Sequence, residues 1–274
     1  MNPPPLPGPF WLVGCGNMAG AMLERWLACG IDRSRITVIR PSARPVAEGV
    51  RVLTAFPEDE VPALVMLGTK PQKIDDYAAA LAGILDQHTV LVSILAGIEL
   101  ASLRERFQAP LTLVKAMPNT PVKLGKGVTN LFSDSPDEQS RGLVEELMRR
   151  LGTVEWFDDE RRFQAAGLLT GAGPAFLFRF IDALAEAGAA IGLAPEQAVR
   201  LAQAMVEGAA ALAAFETKAP AELAERVASP GGTTRAGLNV LDANEALNLL
   251  VRRTLEAGLA RSSEMARETR RGSS

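Results

Sequence analysis

Ser229-Pro230-Gly231-Gly232-Thr233-Thr234 is a run of hydroxyl residues around a glycine pair, set between the helix-like stretches Ala221–Val227 and Arg235–Leu241. A helix start leaves backbone N–H groups without intrahelical partners and has the positive end of the helix behind them. Small residues there let an anion come close, so Ser229, Gly231, Gly232, Thr233 and Thr234 form a candidate seat for a small carboxylate. A second glycine-rich turn, Gly14-Cys15-Gly16-Asn17-Met18-Ala19, follows a strand-like run and opens a helix-like one. That context is what a dinucleotide fingerprint requires. Gly14 would permit the tight turn, Gly16 the approach of a pyrophosphate, and Ala19 close packing of helix on strand. The competing explanation, an ordinary strand-to-helix turn, is disfavoured by the further strands that follow.

The adenosine end of such a ligand is read at the end of the second strand. An acidic residue there selects NADH by binding the ribose hydroxyls. Asp32 has roughly that spacing but precedes the strand Ile36–Ile39, whereas Arg40 and Ser42 follow it, with Arg44 beyond. A guanidinium and a hydroxyl suit a 2′-phosphate, so NADPH is expected, with NADH a weaker alternative. Three more strand-end loops could wall the cofactor: Gly68-Thr69-Lys70-Pro71, Ala96-Gly97, and Met117-Pro118-Asn119-Thr120-Pro121. Asn119 could orient a nicotinamide amide or a substrate ring, and Lys70 reads as a surface or phosphate-contacting residue.

The groups usual for acid–base or metal chemistry are scarce. His88 is the single histidine and falls at the amino end of a strand, away from the ligand end of this architecture. Asp75-Asp76 and Asp158-Asp159-Glu160 lie at turns or helix starts, where capping explains them. Cys15 and Cys29 make neither a disulfide framework nor, without a Cys/His cluster, a metal site. Hydride transfer onto a substrate that brings its own proton, as a protonated imine does, fits this inventory, because the protein then need only align donor and acceptor.

The elements that must hold these residues change character along the chain. Between Phe10 and Asp159, short strand-like runs alternate with helix-like ones, the pattern of βαβ units. The strands expected are Phe10–Val13, Ile36–Ile39, Ala63–Leu67, Thr89–Ile94 and Leu111–Ala116, then Gly127–Phe132 and Thr153–Trp156. Beyond Asp159 the strand signal stops. Helices are expected over Arg161–Leu169, Ala175–Ile191, Pro195–Phe215, Pro220–Val227 and Thr234–Arg267, with Leu177, Phe180, Ile181 and Leu184 on one apolar face. The fold class is therefore α/β, with a Rossmann-type dinucleotide-binding domain (residues 10–159) followed by an all-α domain (residues 160–274). Residues 1–9 read as a disordered lead-in without a secretory signal. Long helices rich in small residues, such as Ala202–Ala214, have more apolar surface than one thin layer can cover, which points to self-association.

The composition, 47% hydrophobic and 22% charged, is that of a soluble globular chain, and the net charge of −3 argues against nucleic acid as a partner. No apolar stretch reaches the roughly 20 residues of a membrane span, and a cytoplasmic location is expected.

Four motifs in order, Gly14-Cys15-Gly16-Asn17-Met18, Met117-Pro118-Asn119-Thr120-Pro121, Thr170-Gly171-Ala172-Gly173-Pro174-Ala175-Phe176 and Val227–Leu238, resemble those of the pyrroline-5-carboxylate reductases. The resemblance runs from about Phe10 to Arg267. It implies NADPH-dependent reduction of a cyclic imine acid to proline and subunits interlocked through the helical half. It also implies that Ser229, Gly232, Thr233 and Thr234 hold the substrate carboxylate, with the Thr234 hydroxyl at the ring nitrogen as the catalytic contact. Gly14, Gly16, Asn17 and Met18 would meet the pyrophosphate, Arg40 and Ser42 the adenosine phosphate, Lys70 and Pro71 the ribose side, and Ala96 and Asn119 the nicotinamide side. Ala172 and Phe176 depart from the family, many of whose members carry Ser and Tyr there. A reductase of another cyclic imine acid remains an alternative, as does a cofactor-binding regulatory protein without turnover. A hydroxy-acid reductase is disfavoured, since the helical half offers only Lys218 as a candidate catalytic base.

Overall fold

Short aliphatic runs build the sheet. Its strands are β1 (Phe10–Val13), β2 (Ile36–Ile39), β3 (Arg51–Leu53), β4 (Leu64–Leu67), β5 (Val90–Ser93), β6 (Thr112–Pro118), β7 (Gly127–Phe132) and β8 (Gly152–Phe157). Every residue of β1, β2, β4 and β5 is buried, as befits parallel strands covered on both faces. The computed structural model, which describes residues 6–271, orders them β3-β2-β1-β4-β5-β6-β7-β8. All neighbours are parallel except β6 and β7. The order reverses beside β1, and the crevice beyond the carboxyl ends of β1 and β4 is the usual ligand position of such a sheet.

Alternation along the strands divides the core in two. Phe10 and Leu12 face one side with Trp26 and Met148, whereas Trp11 and Val13 face the other with Leu81, Leu103 and Phe107. The first core is covered by α1 (Asn17–Ala28), and the second by α2 (Ile74–Leu81) and α3 (Leu100–Arg106). Farther along come α4 (Glu138–Arg149) and α5 (Glu160–Gly167). Trp26 Nε1 donates to Leu147 O at 2.9 Å and so ties α1 to α4. Phe163 of α5 packs against Phe132 and Phe157 of the sheet.

Several expectations change here. β3 was not foreseen, and β6 runs on through Pro118, so Met117 and Pro118 are strand residues and the loop starts at Asn119. Of the expected lead-in, residues 1–5 lie outside the described residues, but Leu6 is buried and its carbonyl accepts from Arg35 Nη1 at 3.2 Å. Ordered packing therefore starts before β1.

The chain forms two compact units, one reaching Ala172 and resuming at Arg261, the other Gly173–Ala260. The helical elements from Gly173 on are α6 (Gly173–Ala190), α7 (Pro195–Phe215), α8 (Pro220–Arg226), α9 (Thr233–Asp242) and α10 (Ala246–Arg271). α6 and α7 pack through small residues, with Ala185, Ala198 and Ala202 buried against Ile181 and Leu184. The single helix expected over Thr234–Arg267 is broken: Asn244 and Glu245 take φ of 53° and 56°, a left-handed conformation that Asn tolerates better than most residues and that no right-handed helix accommodates. The runs Glu160–Ala190 and Pro195–Phe215, 31 and 21 residues long, are long and apolar enough to cross a membrane by length and composition, which corrects the expectation that no stretch reaches that length. They are rich in alanine, and Leu177, Phe178 and Phe180 remain exposed.

Candidate active site

The turn after β1 is shaped by contact with its neighbours. Gly14 has φ of 83°, its N–H donates to Ile39 O at 2.7 Å, and a Cβ there would lie 2.8 Å from Gly68 O. Only glycine fits. Gly16, the residue before α1, is exposed, and a Cβ on it would meet nothing within 4 Å. The open space beside it, the absence of acidic residues from the first turn of α1 and the lack of a side-chain cap suit a bound pyrophosphate. Ala19 is buried and so close to Gly68 that a Cβ on Gly68 would stand 2.9 Å from the Ala19 Cβ. Asn17 is exposed and Met18 half-buried.

Arg40 follows β2 directly and is half-buried, with its N–H bonded to Leu53 O at 3.0 Å. No ion pair of its guanidinium is seen among the described residues. Burial pushes the Cys15 thiol up from its ordinary value, and the Arg40 guanidinium, near enough to act on it, opposes that rise. Cys15 is thus held as a neutral thiol inside the glycine turn, and Arg40 lies beside that turn. The Ser42 hydroxyl accepts from Arg44 N at 3.3 Å in the following loop. Lys70 is exposed, just before the short 3-10 turn Pro71–Lys73.

A cavity of about 350 Å³ opens beyond β5 and β6. Met18, residues 94–99, residues 115–118 and the α5 residues Phe163, Gln164 and Gly167 are among its walls, and Ala172 borders it. The structure thus brings Met18 and Ala96 to one cavity. Asn119 is placed differently: it is buried, its Nδ2 donates to Thr170 O at 2.9 Å and its Oδ1 accepts from Val128 N at 2.8 Å. The side chain thus joins β6 and β7 to the segment after α5, with one N–H of Nδ2 and one lone pair of Oδ1 engaged. Asn130 Nδ2 donates to Thr170 Oγ1 at 2.9 Å in the same knot. The knot holds Leu168–Ala172, a π-helical turn of the kind often found at functional sites.

Lys115 belongs to none of the sequence motifs. It is buried on β6, donates from Nζ to Glu160 Oε1 at 2.5 Å, and lies 5.0 Å from the Phe163 ring centre. Its partner is 45 residues away in the chain, so no local pattern marks the pair. His88 is exposed next to the amino end of β5, and its N–H donates to Asp86 Oδ1 at 2.8 Å.

The second motif lies in the other compact unit. Gly232 precedes α9 with φ of −80° and no side-chain cap, and its N–H donates to Ser229 O at 2.9 Å. Gly231 has φ of 74°, which lets the chain double back between α8 and α9. Thr233 and Thr234 start the helix, both exposed, in a first turn without an acidic residue. Ala236 N is the first to bond back, to Gly232 O, so the N–H groups of Thr233, Thr234 and Arg235 precede the ladder. Arg235 is half-buried and paired with Glu225 of α8, which braces the turn from behind. Phe176 is 38% exposed on α6.

Comparison with known proteins places the two halves. Residues 10–97 match a family model described as NADP oxidoreductase, coenzyme F420-dependent, and residues 160–265 match one described as pyrroline-5-carboxylate reductase dimerisation. The pyrroline-5-carboxylate reductase of Pseudomonas aeruginosa is 34% identical over 263 residues, covering 93% of this chain and 96% of that protein. The enzyme of Pisum sativum is 33% identical over 84% of this chain and 86% of its own. Among solved structures, that of a pyrroline-5-carboxylate reductase from Coxiella burnetii superposes with a TM-score of 0.87 at 30% identity, over 94% of this chain and 98% of that one. The Plasmodium falciparum pyrroline carboxylate reductase, solved with NADP bound, has the same fold, with a TM-score of 0.79 at 22% identity over 96% and 100% of the two chains. On this likeness over nearly its whole length, the chain belongs to the pyrroline-5-carboxylate reductase family.

Proposed function

We propose that this chain reduces the cyclic imine of 1-pyrroline-5-carboxylate to L-proline, the last step of proline biosynthesis, with NADPH as the preferred donor. The observation that carries the reading is the pairing, in one chain, of an uncapped glycine turn at α1 with a second uncapped helix start at α9, each suited to an anion.

The residues divide the work. NADPH supplies the hydride. Gly14, Gly16, Asn17 and Met18 hold its pyrophosphate against the N-terminus of α1, where Gly16 leaves the backbone open. Arg40 and Ser42 take the adenosine phosphate, Lys70 and Pro71 the ribose side, and Ala96 and Asn119 the nicotinamide side. Ser229, Gly231, Gly232, Thr233 and Thr234 bind the substrate carboxylate through backbone N–H groups and hydroxyls, and the Thr234 hydroxyl holds the ring nitrogen. The imine arrives protonated, so no side chain has to deliver a proton to it. This agrees with the position of His88, exposed at the amino ends of the strands.

Residues 10–159 serve as the dinucleotide-binding domain and 160–274 as the substrate-binding and dimerisation domain. The chain self-associates, and we assign the contact to the C-terminal helices, where Leu177, Phe178 and Phe180 are exposed. That association also accounts for the apolar length of Glu160–Ala190 and Pro195–Phe215 without a membrane, and the enzyme works in the cytoplasm.

NADPH oxidation measured with pyrroline-5-carboxylate, a six-membered imine acid and a hydroxy acid tests the reading. Turnover is expected with the first, and its absence despite measured NADPH binding would reject it. Ala172 brings no hydroxyl to the cavity border, and backbone N–H groups at the start of α9 can still supply the anion site without it.

A further inference from the structure

Glu160 is the first residue of α5, and one of its carboxylate oxygens has two partners distant in the chain. Oε1 accepts from Leu100 N at 3.1 Å and from Lys115 Nζ at 2.5 Å. Leu100 is the first residue of α3, directly after the segment 94–99 that walls one side of the cavity. Lys115 starts the β6 segment that walls a second side, and Glu160 opens α5, which supplies the third. One carboxylate oxygen thus fastens three walls contributed by parts of the chain far apart in sequence. The pair is enclosed, with Lys115 and Glu160 side chains 8% and 26% exposed. It is also packed, the ammonium lying over the Phe163 ring. A charge-assisted bond in such surroundings resists exchange with water, which makes it a firm positioning device.

We propose that Glu160, through its shared bonds to Lys115 and the Leu100 N–H, is a positioning residue that sets the width of this cavity and with it the orientation of the nicotinamide against the segment 94–99. The proposal rests on the assignment of the cavity to the nicotinamide. The pyrophosphate and adenosine contacts assigned above involve the glycine turn and the loop after β2, which the carboxylate does not touch. Loosening it should therefore separate orientation from affinity. Glu160→Ala should lower kcat at least about tenfold, as small misplacements of reacting groups do. The NADPH dissociation constant should stay within about threefold, because the anion-binding contacts persist. Glu160→Gln, whose amide oxygen can still accept from Leu100 N–H and Lys115, should recover turnover to within about threefold of the parent, since shape and acceptor are kept.

The test measures kcat, the NADPH dissociation constant and the nicotinamide fluorescence of bound NADPH for the parent, Glu160→Ala, Glu160→Gln and Lys115→Met. Low kcat with retained affinity in the Ala and Met variants, rescue in Gln, and bound-state emission shifted toward that of free NADPH in Ala and Met would support the proposal. Turnover within about twofold of the parent in Glu160→Ala, or affinity falling in step with kcat, would overturn it. Should Glu160→Ala fail to fold, Lys115→Met, which keeps an unbranched chain one atom shorter against Phe163 and removes the charge, decides by the same criteria. The fluorescence is read without substrate, so a parent that binds NADPH yet reduces no imine would reject the functional reading while the emission of the variants still decides this one.

Discussion

Thr234 and Arg40 carry the parts of the account that rest on single side chains. Thr234 is exposed in the first turn of α9, so its replacement should cost little in folding. Thr234→Ala should lower kcat/KM about tenfold to a hundredfold, the worth of one bond to a charged group, with the melting temperature unchanged. Steady-state kinetics that match the parent would remove Thr234 from the substrate site. Arg40→Ala should raise the KM for NADPH about tenfold or more and leave that for NADH within about twofold, because only the former has a phosphate for a guanidinium to grip. At this scale the sequence was informative where a residue acts through its own local backbone. The tight turn at Gly14 and the close packing of Ala19 were legible because strand, turn and helix are contiguous. Lys115 and Glu160 were not, since only the register of β6 and the packing of α5 on the sheet bring them together. Asn119 was recognised as special, but its buried amide bonds to Val128 and Thr170 could not be foreseen.

At the scale of elements, α4 gives a clean case of a cap that responds to pH. Asp137 Oδ1 accepts from Gln139 N at 3.1 Å and from Ser140 N at 3.3 Å, and the Ser140 hydroxyl donates to Oδ2 at 2.5 Å. The Ser140 hydroxyl, then its N–H, hold the Asp137 carboxyl below the usual carboxylate range. With the folded value below the unfolded one, this stabilisation is full above the ordinary Asp value, near about 4, and is lost as the pH falls through the folded value. Asp137→Ala should cost about 1 kcal/mol at neutral pH and flatten the acid limb of the stability curve, while Asp137→Asn should keep most of the cap. Denaturant titrations at neutral and acid pH would check both. Strand centres were readable because β1 and β2 are apolar or β-branched runs bounded by turn residues, and their limits, like those of β7, match those expected. β3 escaped because three residues, Arg51 to Leu53, at a sheet edge carry no alternation long enough to register. The break at Asn244 escaped because a left-handed pair leaves helical periodicity intact on both sides.

At the scale of the whole molecule, the division into a sheet half and a helical half followed from the loss of strand signal after Asp159, and membership of the family confirms that class. Composition told less about the faces of the helices. Leu177, Phe180, Ile181 and Leu184 share a stripe by spacing, yet Ile181 and Leu184 pack within the α6–α7 pair whereas Leu177 and Phe180 are 43% and 48% exposed. Exposed apolar surface of that kind marks an association site. Leu177→Glu combined with Phe180→Glu should shift the chain toward monomer in light scattering, with the sheet half still binding NADPH. An unaltered mass would move the contact elsewhere. The central claim is tested most directly by incubating the purified chain with NADPH and pyrroline-5-carboxylate and following both NADPH and proline. The account predicts one proline formed for each NADPH consumed, and NADPH that binds but is not consumed would contradict it.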